Sequence, residues 1–124
     1  MTKGRVLIVE DNMDTYELVN FILQKNGFDT FLAVNGRDGV NAAIKQKPDL
    51  IIMDLSMPEM DGWAATSIIK KTPDIKSIPL IVLTAHALPG DRQRAMSAGC
   101  DQYITKPMDL GELVEVVNHW IQKR

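Results

Sequence analysis

Five short apolar runs, set apart by longer amphipathic stretches, constrain this sequence more than any other feature. They are "RVLIV" (Arg5–Val9), "TFLAV" (Thr30–Val34), "LIIM" (Leu50–Met53), "LIVLT" (Leu80–Thr84) and "QYIT" (Gln102–Thr105). The first, third and fourth are nearly unbroken Val, Ile and Leu. A strand covered on one face alternates apolar with polar, whereas a strand covered on both faces has no polar side to show. These three runs read as central strands of a buried parallel sheet. The second and fifth are more mixed and read as lying nearer the edges.

The intervening segments carry helix periodicity. Residues Asn12–Asn26 place Leu18, Val19, Ile22 and Leu23 on one stripe. Gly36–Lys47 offers Val40, Ala43 and Ile44, and Gly62–Lys71 offers Ala65, Ile68 and Ile69. Gly90–Ala98 has a weak stripe of Ala95 and Met96, and the last segment aligns Leu110, Leu113, Val117 and Trp120. Asp109 with Glu112 three residues on resembles a capping box. Gly27, Pro48, Pro73, Pro79 and Gly99 stand where these helices should end. Strands alternating with helices predict an α/β fold: an open, doubly wound, five-stranded parallel sheet with five helices. At 124 residues one domain is expected over 1–124, with no output domain beyond it.

Such sheets bind ligands beyond the carboxyl ends of their strands. At that edge the sequence puts Glu10 and Asp11 after the first strand, Asp54 after the third, Thr84 at the end of the fourth and Lys106 after the fifth. If the first and third strands are neighbours, three carboxylates crowd together. Either a proton or a cation must relieve them. Oxygen ligands with room for water favour Mg²⁺. Acids, Mg²⁺, an ammonium and a hydroxyl are the parts that phosphoryl transfer to a carboxylate requires. Glu10 and Asp11 are paired and suit the metal. Asp54 stands alone beside Thr84 and Lys106, and is assigned as the nucleophile.

These residues resemble a known family. "VLIVEDN", "PDLIIMDLSMPEMDG", "PLIVLTA" and "YITKP" are similar, in order and spacing, to the receiver domain of bacterial two-component response regulators. The resemblance implies a flavodoxin-like sheet of order 2-1-3-4-5. It implies that Asp54 takes a phosphoryl group from the phosphohistidine of a histidine kinase or histidine phosphotransfer protein. Asp11, Asp54 and the Ser56 backbone carbonyl would hold Mg²⁺, with Glu10 acting through water. Lys106 and Thr84 would contact the phosphoryl group, and the Lys106–Pro107 peptide would be cis. Tyr103 would turn inward as Thr84 moves, altering affinity for a downstream target protein. Ser56 and His86 would tune the lifetime of the phosphate. The domain would promote only its own phosphorylation and dephosphorylation, without being an enzyme toward outside substrates. A stand-alone receiver acting by docking is the expectation.

Two apolar residues fall off their helix stripes. Phe21 is a candidate for docking the phosphodonor, and Val116 for a signalling face with Tyr103. Each residue alone has a plainer role: acids at a helix start suit its dipole, and a strand Thr or a surface Lys is ordinary. Their convergence is what favours chemistry.

Two rival readings remain. A haloacid-dehalogenase-type phosphatase also uses a strand-end Asp and Mg²⁺, but needs a second Asp two residues on, where this chain has Ser56. An unphosphorylated interaction module would be expected to have lost an acid or the lysine. The net charge of −2 argues against nucleic-acid or membrane-surface binding. The single cysteine, Cys100, suits a reducing compartment, and the expected location is cytoplasmic.

Overall fold

The computed structural model describes residues 3–55, 62–84, 89–105 and 109–123. The elements run β1 (Arg5–Val9), α1 (Met13–Lys25), β2 (Asp29–Ala33), α2 (Gly36–Gln46), β3 (Leu50–Met53), α3 (Gly62–Lys71), β4 (Leu80–Thr84), α4 (Asp91–Ser97), β5 (Gln102–Thr105) and α5 (Leu110–Lys123). All strand pairs are parallel, in the order β2-β1-β3-β4-β5. The expected topology is therefore the observed one, with the mixed strands β2 and β5 at the edges.

The pleat sorts the core into two layers, because successive strand residues face opposite ways. Leu7, Val9, Ile51, Met53, Leu80, Val82 and Tyr103 pack against Ala43 of α2, Ala65 and Ile69 of α3 and Ala95 of α4. Val6, Ile8, Leu50, Ile52, Ile81 and Leu83 pack against Val19 and Leu23 of α1 and Leu113 and Val117 of α5. Each central strand thus buries both its faces, which is why its sequence has no polar alternation.

Some helix stripes are narrower than periodicity predicts. Leu18, Ile44, Ile68 and Met96 are exposed, although each falls within its helical repeat. A helix on a sheet buries a stripe, and residues at the stripe's margin are covered only if a neighbour reaches them. On α1, Tyr16 and the half-buried Ile22 flank Val19 and Leu23 against the sheet instead. β2 runs one residue earlier than expected. Its ladder with β1 ends at Ala33, and Val34 is exposed beyond it.

Helix ends follow local chemistry. Asn12 and Asn35 accept the Thr15 and Asp38 N–H groups at 3.0 and 2.8 Å and cap α1 and α2. Asp109 caps α5 by accepting the Gly111 and Glu112 N–H groups at 2.7 and 3.2 Å. At the amino edge of the sheet, the Asp101 carboxylate accepts from Lys70 Nζ at 2.7 Å and from the Leu80 N–H at 2.8 Å, tying α3 to the starts of β4 and β5.

Candidate functional site

The acidic site follows from sheet order. β1 and β3 are hydrogen-bonded neighbours in register Val6↔Leu50 through Val9↔Met53. Glu10 and Asp54, each the next residue along, therefore leave the sheet side by side. The Glu10 N–H donates to Ala33 O at 2.9 Å and the Asp54 N–H to Val9 O at 3.0 Å, so both backbones are still held by the ladder. Carboxylate oxygens of Glu10, Asp11 and Asp54 all lie within 4.8 Å of one another. Glu10 is 3% exposed and Asp54 7%, whereas Asp11 is exposed. Three carboxylates this close, two of them largely withdrawn from water, repel strongly in the reduced local dielectric. The Asn12 N–H reaches Glu10 Oε2 at 3.3 Å and the amino end of α1 opens just beyond, which offsets part of that repulsion. An all-oxygen donor set of this kind fits a hard divalent cation such as Mg²⁺.

β4 lies on the other side of β3, and its last residue, Thr84, is 1% exposed. Thr84 pairs in register with Thr105 of β5, the residue immediately before Lys106. Lys106, Pro107 and the peptide between them lie outside the described residues, as do Ser56 and His86. The structure thus brings together Glu10, Asp11 and Asp54, with Thr84 one strand further along the same edge.

Tyr103 is buried, 8% exposed, in the layer shared by α2, α3 and α4. Its hydroxyl has no hydrogen-bond partner among the described residues. Burial, seconded by the Asp91 carboxylate, pushes its pKa up. Val116 is half-buried against the α1/α5 layer, so it and Tyr103 lie on opposite faces of the sheet. Phe21 is 62% exposed on α1, with Lys25 Nζ 5.7 Å from its ring centre.

Periodicity missed Gly62. A Cβ there would lie 2.1 Å from the Asp54 carbonyl oxygen and 2.5 Å from the Leu55 Cα. The start of α3 presses on the backbone that carries Asp54, and only glycine allows that approach. An Asp-Gly pair at a helix start was visible in the sequence, but what the glycine touches was not.

A 2-1-3-4-5 parallel sheet whose switch-point crevice brings three acids together defines a flavodoxin-like α/β protein with an acidic notch that could hold a cation. The chain belongs to the response regulator receiver domain family, whose sequence model matches residues 6–118. It is 34% identical over 116 residues to the polar-differentiation response regulator DivK of Brucella anthropi, covering 94% of both chains. It is 41% identical over 119 residues to the hybrid signal transduction histidine kinase G of Dictyostelium discoideum, covering 94% of this chain and 4% of that one. Among solved structures, it superposes with a TM-score of 0.91 on the signal receiver domain of a histidine kinase from Syntrophus aciditrophicus, at 39% identity over 97% of this chain and 91% of that one. The receiver domain of a sensor histidine kinase from Pseudomonas aeruginosa superposes with a TM-score of 0.89, at 34% identity over 96% of this chain and 98% of that one. That structure has a magnesium ion coordinated in its active-site cleft. The protein is a receiver domain of two-component signal transduction. Among the described residues no helix is long and apolar enough to cross a membrane.

Proposed function

We propose that Asp54 is the phosphoacceptor of this receiver. The observation that carries the reading is the meeting of Glu10, Asp11 and Asp54 at the ends of two adjacent strands. An Asp54 carboxylate oxygen attacks the phosphorus of a donor phosphohistidine. The new P–O bond forms as the P–N bond breaks with its electron pair going to the ring nitrogen, and the imidazole leaves neutral because its other nitrogen already carries a proton taken from water. Asp11, Asp54 and the Ser56 backbone carbonyl, with Glu10 through water, would hold Mg²⁺, which would supply neutralisation of the charge on the non-bridging oxygens. Thr84 hydrogen-bonds the phosphoryl group and Lys106 pairs with it. Ser56 and His86 set how readily water reaches it. The chain promotes these steps on itself and has no outside substrate to turn over.

The phosphoryl group adds charge and strong acceptors beside Thr84. Whichever arrangement of the neighbouring loops binds it better gains population, and the domain's affinity for a downstream protein changes with it. Tyr103, buried on the strand beside β4, follows Thr84 as it moves toward the phosphoryl group, and that coupling carries the change to the surface. The donor, a histidine kinase or histidine phosphotransfer protein in the cytoplasm, docks over α1, the helix that starts at the acidic site and exposes Met13, Leu18 and Phe21.

The test is incubation with acetyl phosphate and Mg²⁺, followed by intact mass measurement. A single phosphoryl adduct is expected, labile in base, absent without Mg²⁺ and absent in Asp54→Asn. An adduct that persists in Asp54→Asn would refute the assignment. Phe21→Ala should slow transfer from a protein donor and leave acetyl phosphate labelling unchanged.

A further inference from the structure

Trp63 follows Gly62 in the first turn of α3 and contributes no group to the acidic notch. Its ring is half-buried against the core layer that α2, α3 and α4 cover. From outside, the Arg94 guanidinium of α4 lies 4.2 Å from the ring centre. The other three cation–ring contacts among the described residues are longer, 5.3, 5.7 and 5.9 Å. A planar guanidinium this close is in contact with the ring, whose negative face attracts it. Arg94 is exposed, but the next residue, Ala95, is fully buried in the same layer. The stack therefore joins a part of α4 that is anchored in the core to the first turn of α3.

What that turn touches gives the stack a consequence. The β3 ladder ends at Met53, with the Asp54 N–H still bound to Val9 O at 3.0 Å. On the far side of Asp54, the Gly62 N–H donates to Leu55 O at 2.9 Å. The Asp54 carbonyl lies so close to Gly62 that no Cβ fits between them. The first turn of α3 is thus a stop against the peptide that carries Asp54. It has no acidic residue to meet the helix dipole. A shift of this turn would move the Asp54 backbone and the carboxylate with it, and reaction rates fall steeply with small misplacements of a reacting group. By itself, an Arg stacked on a Trp covers apolar surface and little more. One residue from the glycine that touches the Asp54 backbone, it gains leverage on the site.

We propose that Trp63, held from outside by Arg94, is a positioning residue for the phosphoacceptor. It keeps the first turn of α3 pressed against the backbone that carries Asp54. The inference deepens the reading of Asp54 as phosphoacceptor and rests on it. Loosening the stack should therefore open the Gly62–Leu55 hydrogen bond more often and slow phosphoryl transfer to Asp54, without unfolding the domain.

The experiment uses the full chain and two readouts. Amide hydrogen exchange by NMR follows the Gly62 N–H, and intact mass follows the rate of labelling by acetyl phosphate with Mg²⁺. Urea melts establish that each variant is folded under these conditions. Arg94→Gln removes the stacked cation at an exposed position, so the fold should survive. Gly62 exchange should quicken about threefold and labelling slow by a similar factor. The Ile51 amide, which donates to Pro79 O at 2.9 Å at the other end of β3, should be unaffected. Trp63→Leu should give a larger change, about tenfold in each readout, and Trp63→Phe, which keeps a ring under Arg94, should recover most of it. Arg37→Gln makes the same charge change at the exposed start of α2 and should alter neither readout. Unchanged Gly62 exchange in Arg94→Gln and Trp63→Leu would overturn the inference. So would equal acceleration at Ile51, which would mean general destabilisation. Equal slowing of labelling in Arg37→Gln would also overturn it, by assigning the effect to attraction of the anionic phosphodonor. Labelling that occurs normally in both Arg94→Gln and Trp63→Leu would overturn this inference alone. Absence of labelling in the unmodified chain would refute the phosphoacceptor reading itself.

Discussion

Gly62→Ala should be disproportionately costly, because the position is closed by backbone rather than by side chains. The added Cβ falls 2.1 Å from the Asp54 carbonyl oxygen, where real Cβ contacts essentially never fall below 3.0 Å. The start of α3 and the end of β3 must then part by roughly 1 Å. Neither yields easily. The Gly62 N–H donates to Leu55 O at 2.9 Å, and the Asp54 N–H is bound to β1 at 3.0 Å. Overpacking a well-packed interior costs about 1–3 kcal/mol. With backbone on both sides, the upper end applies, about 3 kcal/mol. Alanine's better helix propensity returns at most about 1 kcal/mol. Of a typical domain stability of roughly 5–15 kcal/mol, that is a large fraction. Urea unfolding followed by circular dichroism reads the loss as a lower midpoint at unchanged slope. Acetyl phosphate labelling of the same variant should fall as well, since the displaced backbone carries Asp54. Gly39→Ala is the comparison. Its Cβ would meet two methyl carbons of the buried Val9 at 2.9 Å, a smaller overlap and with a side chain rather than backbone, so its loss should be less, about 2 kcal/mol. If Gly62→Ala unfolds at the wild-type midpoint, or loses no more than Gly39→Ala, the backbone-approach argument is wrong.

Tyr103→Phe removes a buried hydroxyl without a hydrogen-bond partner among the described residues, so stability should be unchanged or rise by about 1 kcal/mol. A loss of similar size in urea melts would mean that the hydroxyl is bonded in solution. Burial, with Asp101 adding to it, pushes the Cys100 thiol from the ordinary 9.0 up to about 11. The unfolded chain therefore loses this proton first, and stability should fall as pH rises from about 9 to 11, by up to about 1.4 kcal/mol per unit. Cys100→Ala should flatten that part of the pH profile, and an unaltered slope would refute the assignment.

Much of the fold was legible because strand and helix patterns are local. Unbroken apolar runs marked β1, β3 and β4 as covered on both faces, and the mixed runs marked the edges. The strand-end acids were legible for the same reason, since a carboxylate right after a buried run has only the sheet edge to occupy. The resemblance to receivers then suggested the roles proposed for these acids. Leu18, Ile44 and Ile68 were misjudged because a helical repeat tells which residues share a face, not how far the neighbouring element reaches over it.

By itself, then, the sequence determined the elements, their parallel arrangement and the residues delivered to the carboxyl edge. Hydrophobic periodicity and strand-end chemistry act within a few residues. Only the tertiary structure decided that Glu10 and Asp54, 44 positions apart, share one notch within 4.8 Å. It alone decided that Gly62 must stay bare against the Asp54 carbonyl and that Tyr103 is buried in the layer beneath α4. Those facts depend on which strands lie side by side and how closely backbones approach, and no local pattern encodes either.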